Sequence, residues 1–371
     1  MTAIESDAQH LQRTLELAAR ARGRTSPNPL VGAVVVKDER LIGEGFHEAP
    51  GHPHAERAAL AACGEDPAGA TLYVSLEPCC HQGRTPPCTE AIVEAGISRV
   101  VIASDDPTEK AAGRGLGILR DEGIQVDIHD GALGCAARLL NQPFRKHART
   151  GRPLVIMKSA MTLDGKVATR TGDSQWISGQ ASRARGHRWR AEADAAAVGI
   201  GTALNDDPRL TARIEGVARQ PQRVVFDSEA RLPLDSRLVA SAKEVPVILV
   251  CGRAAGRTAM QALESAGVEV IVVSGQNEAA RVGSALDELG SREIQSLLLE
   301  GGPHLTGAFL EAGEIDEVRM FVAPLLAGGR EARTAVEGLG TGPIAGAARA
   351  ISTEMERIED DVLITARLKE W

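Results

Sequence analysis

Aromatic side chains are scarce in this chain: five Phe, three Trp and one Tyr make up 2% of 371 residues. An interior filled by aliphatic side chains and Ala follows, and a surface built to stack successive bases does not. Basic runs are scarce as well. Formal net charge is −8, and no block of Lys and Arg is long enough to track a nucleic-acid backbone, so nucleic acid is not an expected partner. A small anion remains admissible, because a few locally placed Arg can hold one phosphate within an acidic protein. No apolar run approaches the roughly 18 residues that a membrane span needs. Met1 to Arg20 is polar and charged where a secretory leader would be apolar, so a cytoplasmic protein without membrane contact is expected. The six Cys are unevenly spread, which disfavours a disulfide framework and favours metal binding or burial. Cys63, Cys80, Cys135 and Cys251 read as small buried or incidental residues.

Hydrophobic residues at 43% and charged residues at 25% give the profile of a soluble globular protein. The length exceeds what one hydrophobic core usually serves, so two domains are expected. From Leu30 to Asp130 short apolar runs alternate with helical stretches. Leu30–Val36, Leu41–Phe46, Leu72–Leu76, Val100–Ala103 and Ile124–Ile128 are expected strands. Helices are expected from His54, after Cys88, near Gly115–Glu122 and from Leu133 to about Arg145. That order makes an α/β sandwich. A basic, non-periodic stretch from Arg145 to Pro153 then marks a boundary, giving domains 1–148 and 149–371. In the second, Leu154–Met157, Ala195–Ile200, Arg223–Phe226, Val245–Val250, Val268–Val273 and Ser296–Leu299 are expected strands, with helices such as Gln180–Ala193 between them. Most are continuous apolar runs, which predicts a largely parallel sheet buried on both faces.

His54-Ala-Glu56, followed by Pro78-Cys79 and then Cys88, supplies three zinc-ligand side chains and one carboxylate that need not bind metal. A catalytic zinc site takes three protein ligands and leaves a position for water, whereas a structural site closes all four. Residues two apart on a regular helix point to different sides, so His54 and Glu56 serve one site only where the helix begins. Pro53 suits that first turn. Cys79 after a strand and Cys88 before a helical pattern both sit where helix N–H groups favour a thiolate. Zinc lowers the pKa of its bound water to about 7 while a carboxylate moves protons, so a hydroxide can displace an amino group from a ring carbon. A structural zinc knuckle with a fourth ligand from Cys80 or His81 is the alternative, and the nearby His47 and His52 keep it open.

Pro27-Asn-Pro-Leu-Val-Gly32, Gly45-Phe-His47, His54-Ala-Glu56 and Glu77-Pro-Cys-Cys-His-Gln-Gly-Arg-Thr-Pro-Pro-Cys88 resemble the deaminase half of the bifunctional riboflavin-biosynthesis deaminase/reductase. Lys158-Ser-Ala-Met-Thr-Leu-Asp-Gly-Lys166, Ser174-Gln-Trp-Ile177, Asn205-Asp-Asp-Pro208 with Leu210-Thr-Ala-Arg213, and Leu299-Glu-Gly-Gly302 resemble its reductase half. The resemblance implies a cytidine-deaminase-like α/β/α sandwich followed by a dihydrofolate-reductase-like α/β domain. It implies one zinc ion on His54, Cys79 and Cys88, with Glu56 as proton shuttle and Asn28, His47, His81 and Arg84 on the first substrate. In the second half it implies NADPH near Ala160, Trp176, Thr202, Asp206, Ser228, Gly301 and Gly302, and a reductase substrate against Ser174, Arg190, Leu210, Arg213 and Glu300. The substrates would be small phosphorylated pyrimidines and the assembly a homodimer or homotetramer. Arg190 and Arg213 suit the 5′-phosphate, because a guanidinium offers paired donors to its oxygens. Arg183, Arg185 and Arg188 read as solvated residues of the same helix. There is no G-x-G-x-x-G fingerprint. A rival reading is a nucleoside or tRNA-editing zinc deaminase joined to an unrelated second domain.

Overall fold

Runs such as Val34-Val35-Val36 and Val100-Val101-Ile102 crowd the backbone with branched side chains and settle as strands. The structure, a computed structural model, describes residues 3–83, 86–129 and 131–371, so Arg84 lies outside the described residues. The chain divides into two units: residues 1–150 together with Trp371, and residues 151–370.

In chain order the first unit contains α1 (Ala3–Ala19), β1 (Gly32–Lys37), β2 (Arg40–Phe46), α2 (Ala55–Ala61), β3 (Thr71–Val74), α3 (Cys88–Glu94), β4 (Arg99–Ile102), α4 (Arg114–Asp121), β5 (Gln125–Ile128), α5 (Ala132–Leu140) and α6 (Gln142–Thr150). The sheet order is β2-β1-β3-β4-β5. β1 runs antiparallel to both neighbours, and β3, β4 and β5 are parallel. Strand alternation divides the core between the two faces. Ala33, Val35, Leu72, Val74, Val100 and Ile102 meet Ala55 and Ala59 of α2, Ile92 of α3 and Leu116 and Leu119 of α4. Val34, Val36, Tyr73 and Val101 meet Leu11 and Leu15 of α1 and Ala137 of α5. The result is the three-layer α/β/α sandwich expected of this half. α2 lies unusually close to β2, because Gly43 and Gly45 present no side chain. A Cβ at Gly45 would stand 2.5 Å from the Ala59 backbone N, and one at Gly43 would stand 2.4 Å from the Ala59 carbonyl O.

One expectation fails in this unit. The basic stretch from Arg145 is not an irregular linker but the second half of α6. Arg145 is 1% exposed, with its guanidinium donating to the Asp105 carbonyl at 2.9 Å and to Ser104 Oγ at 3.3 Å, and lying 3.2 Å from Asp105 Oδ1. A buried charge survives only where its donors are satisfied, and that partnership cannot be read from the basic run itself.

The second unit contains β6 (Leu154–Thr162), α7 (Gln180–Glu192), β7 (Ala195–Gly199), α8 (Ile200–Asp206), β8 (Gln222–Phe226), α9 (Arg237–Ala240), β9 (Val247–Gly252), α10 (Arg257–Ser265), β10 (Glu269–Val273), α11 (Glu278–Gly290), β11 (Ser296–Leu299), α12 (Pro303–Glu311), β12 (Glu317–Ala323), β13 (Ser352–Ile358) and β14 (Asp361–Arg367). Its sheet runs β10-β9-β8-β7-β11-β6-β12-β14-β13. Every pair from β10 to β12 is parallel, and only β14 and β13 run against their neighbours. Val155, Val224, Ile248 and Leu297 pack against Leu286 of α11 and Phe309 of α12. On the other face Ala196, Val198, Val225 and Leu249 meet Ala203 of α8, Leu238 of α9 and Leu263 of α10. The expected parallel sheet is there, with an antiparallel edge that the continuous-run criterion does not detect. Val198–Thr202 is a strand-to-helix junction, since β7 ends at Gly199 and α8 begins at Ile200. Among the described residues no helix is long and apolar enough to cross a membrane.

Gly45→Ala is expected to destabilise the first unit by about 1–3 kcal/mol, because overpacking forces α2 away from β2. Denaturant unfolding followed by circular dichroism, with limited proteolysis assigning each transition to its unit, checks it: the first unit should unfold at lower denaturant while the second is unchanged.

Candidate active sites

In the first unit three separate segments converge. His54 occupies the N-cap position of α2 with extended φ and ψ of −68° and 160°, so the divergence of residues two apart within a helix does not apply to it, and its ring is close enough to act on the Glu56 carboxyl. Cys79 follows β3, and Cys88 opens α3. His54 Nδ1 lies 3.5 Å from Cys79 Sγ and 3.4 Å from Cys88 Sγ. One ligand atom from each of the three residues falls within 4.8 Å of the others. This donor set of one imidazole and two sulfurs fits zinc, and its three members leave a coordination position for water. Cys80 does not join it; its Sγ points to the Lys110 carbonyl at 3.7 Å. The neighbouring Cys88 side chain, with the His54 ring, lowers the Cys79 thiol, while the same contact and burial push the Cys88 thiol upward.

Glu56 is 3% exposed. Burial first, and then the charge on Cys79, push its carboxyl up to about 7. A carboxyl poised there can both accept and return a proton near neutrality. His47 Nδ1 bonds the Pro53 carbonyl at 3.0 Å, which requires that nitrogen to donate. Its Nε2 therefore accepts from Asn28 Nδ2, also at 3.0 Å. Burial holds the ring below its usual pKa, so a neutral His47 and Asn28 form one fixed pair against the residue that precedes His54. His81 Nδ1 is buried and has no hydrogen-bond partner among the described residues, the condition of a group that meets a ligand. Glu77 was not singled out by sequence. It is buried, and its carboxylate accepts from the Gly113 N–H at 2.9 Å and the Asp106 N–H at 3.4 Å, fixing the loop beyond β4 next to the metal-ligand segment.

The second unit holds a cavity of about 1010 Å³, and all twelve reductase residues named from the sequence line it. Gly301 and Gly302 have φ of +99° and +83°, and a Cβ on Gly302 would reach within 3.4 Å of Thr202 Oγ1. The bare backbone there, at the start of α12 and beside the start of α8, leaves room for a ligand to come close to unpaired N–H groups, a geometry that suits phosphate. Trp176 is 65% exposed. Arg183 stacks on its ring at 4.6 Å and donates to the Ser178 carbonyl at 2.6 Å. Arg183 thus lines the cavity, which corrects its reading as a solvated residue, whereas Arg185 forms a surface ion pair with Glu356 at 2.8 Å. Arg188 is exposed as expected.

Arg190 meets Glu300 through one guanidinium edge, with Nη2 to Oε2 at 2.8 Å and Nε to Oε1. Lys158 Nζ stands 3.8 Å from the same carboxylate. Burial raises the Glu300 pKa, but Arg190 and Lys158 outweigh it and hold the carboxylate below its usual range. Lys158 is itself held down by burial and by Arg190. It opens the Lys158–Lys166 motif, the one sequence signal that could have marked it.

Comparison with known proteins agrees with this geometry. The cytidine and deoxycytidylate deaminase zinc-binding region matches residues 4–104, and the RibD C-terminal domain matches residues 153–364. The riboflavin biosynthesis protein RibD of Actinobacillus pleuropneumoniae is 42% identical over 97% of this chain and 94% of its own. That of Escherichia coli is 38% identical over 87% of this chain and 89% of its own. Among solved structures, RibD of Acinetobacter baumannii superposes with a TM-score of 0.86 at 37% identity, covering 99% of both chains. The diaminohydroxyphosphoribosylaminopyrimidine deaminase/5-amino-6-(5-phosphoribosylamino)uracil reductase of Thermotoga maritima gives 0.85 at 36% identity, covering 98% of this chain and 99% of that one.

The molecule is a bifunctional enzyme in which a zinc-binding deaminase unit precedes a reductase unit. The match in the second half answers the rival of an unrelated second domain. The chain belongs to the RibD family of riboflavin biosynthesis proteins.

Cys79→Ala and Cys88→Ala are each expected to lose the zinc, since two protein ligands seldom retain it, whereas Cys80→Ala keeps it. Metal analysis of the purified variants checks this, and chelation of the wild type should abolish deamination while reduction continues.

Proposed function

We propose that residues 1–148 hydrolytically deaminate 2,5-diamino-6-ribosylamino-4(3H)-pyrimidinone 5′-phosphate. Residues 149–371 then reduce the resulting 5-amino-6-(5-phosphoribosylamino)uracil to its ribityl form with NADPH. The observation that carries the first step is the convergence of His54, Cys79 and Cys88 beside the buried Glu56. The named activity of the Thermotoga maritima relative supports the substrates.

Zinc on this triad supplies the Lewis acidity that makes water a nucleophile at neutral pH. Glu56 takes a proton from the attacking water and returns it to the departing amino group. Asn28 and the neutral His47 orient the ring, and His81 offers its open Nδ1 to the substrate together with Arg84. In the second unit the nicotinamide cofactor supplies the hydride. We assign its phosphates to the Gly301-Gly302 cradle and Thr202, its ring to the open face of Trp176 near Ala160, and further contacts to Asp206 and Ser228. Arg213 and Arg190 take the 5′-phosphate, with Ser174, Leu210 and Glu300 around the rest of the substrate. The same resemblance leads us to place the enzyme in the cytoplasm as a homodimer or homotetramer.

Purified protein given the diaminopyrimidine ribotide should release ammonia without cofactor, and should oxidise NADPH only after that step. Glu56→Gln should lower deamination kcat by about 10²–10⁴-fold, the usual worth of a positioned acid/base. Zinc content and reduction of the pre-formed aminouracil should stay at wild-type levels. Full deamination by that variant would return the metal to a structural role.

A further inference from the structure

The segment from Asp207 to Arg213 carries Leu210 and Arg213 to the cavity wall through a backbone that disfavours its own shape. Asp207 has φ of +38° and Leu210 of +52°, the left-handed region that non-glycine residues leave unless their surroundings over-determine it. Side chains from several elements do so. Asp207 Oδ1 accepts the Arg237 N–H at 2.8 Å, and Arg190 Nη1 donates to the Thr211 carbonyl at 3.3 Å. Gln220 engages both backbone groups of the buried Ala212: its Oε1 accepts from the Ala212 N–H at 2.8 Å and its Nε2 donates to the Ala212 carbonyl at 3.0 Å. One side-chain amide thereby does for Ala212 what a neighbouring strand would do. The next N–H, that of Arg213, donates to His187 Nδ1 at 3.4 Å.

His187 Nδ1 also faces Arg190 Nη1 at 3.5 Å. Both neighbours are obligate donors, so this nitrogen carries the lone pair and the ring proton sits on Nε2. Burial, with the charges of Arg190 and Arg213, pushes the ring down to about 4 and keeps it in that acceptor form. Arg190 is engaged on one side by Glu300 and on the other by Thr211. Of the two guanidinium groups assigned to the phosphate, Arg213 is the one whose placement depends on this segment.

We propose that Gln220 and His187 clasp the Ala212–Arg213 peptide and, by fixing where Arg213 stands at the cavity wall, set how strongly the reductase prefers a phosphorylated substrate. The inference rests on the reading of Arg213 as a phosphate ligand. Neither residue touches substrate; both are positioning residues that act through Arg213.

The test compares steady-state reduction of 5-amino-6-(5-phosphoribosylamino)uracil and of its dephosphorylated analogue by the zinc-loaded full-length protein at saturating NADPH. The readout is the ratio of the two KM values, which a general loosening of the unit would not change. Arg213→Ala should lower the preference for the phosphorylated substrate about tenfold, and Gln220→Leu and His187→Leu should each do the same with kcat changed by less than about twofold. Gln220→Glu keeps the acceptor for the Ala212 N–H and should lose less. His187→Asn places an amide oxygen near the position of Nδ1 and should restore most of the preference. If Gln220→Leu does not fold, an unchanged preference in Gln220→Glu overturns the clasp. If Arg213→Ala lowers the preference while the Gln220 and His187 variants leave it intact, the clasp is wrong and the phosphate reading stands. If Arg213→Ala itself leaves it intact, that reading falls and the clasp falls with it.

Discussion

Parallel strands that end on one edge of a sheet bring distant parts of a chain together there, because each must be followed by a turn into a helix whose first N–H groups are unpaired. Both units use that edge. In the first, His47 and His54 follow β2, the metal-ligand Cys79 follows β3 and Asp106 follows β4. β2 runs in the same sense as β3, since each is antiparallel to β1. Asn28 precedes β1, whose amino end lies on that edge for the same reason. In the second, Trp176, Thr202, Ser228 and Gly301 follow β6, β7, β8 and β11. The chain leaves β7 toward β8 and leaves β11 toward the opposite side of the sheet, so the crevice opens between two adjacent strand ends.

The two edges solve opposite electrostatic problems. In the first unit a thiolate and a buried carboxyl lie close together, an arrangement that burial alone would penalise on both groups. A divalent cation reverses that penalty, which is why a raised carboxyl beside a lowered thiol is expected in a site built for metal. In the second unit the charges are mostly positive. Arg190 and Lys158 surround the single carboxylate of Glu300, and Arg213 adds a further charge at the wall. The excess favours an anionic ligand at this edge.

Those parts of the fold whose chemistry is local were legible in the sequence. Continuous aliphatic runs such as Ala195–Val198 and Leu297–Leu299 can only be buried, and they become central strands. The metal-ligand residues stood out because imidazole, thiol and a spare carboxyl seldom occur at such spacing without a metal. What stayed hidden depends on partners far away in sequence. α6 looks like a solvated basic stretch until Asp105 and Ser104 are set beside Arg145. β12 and β13 alternate weakly, because β12 is only partly buried and β13 is the exposed edge of the sheet. Arg183 gives no sign of its cavity role until the ring of Trp176 lies beneath it.

The nine-position interval between Cys79 and Cys88 looks like a departure from compact ligand spacing, yet the structure closes it with a single residue. The Cys79 carbonyl accepts from the Cys88 N–H at 3.0 Å and from the Thr89 N–H at 3.2 Å, satisfying two of the donors that open α3. The Cys88 N–H also lies 3.4 Å from Cys79 Sγ, which favours the thiolate form of that sulfur. Cys79 therefore caps the helix that delivers Cys88, and the distance between the two sulfurs is set by this contact rather than by the residues between them. Within the interval His81 stands with a buried ring nitrogen that has no hydrogen-bond partner among the described residues. An insertion that would separate an ordinary ligand pair is spanned here by one carbonyl oxygen, which holds the start of α3 against Cys79.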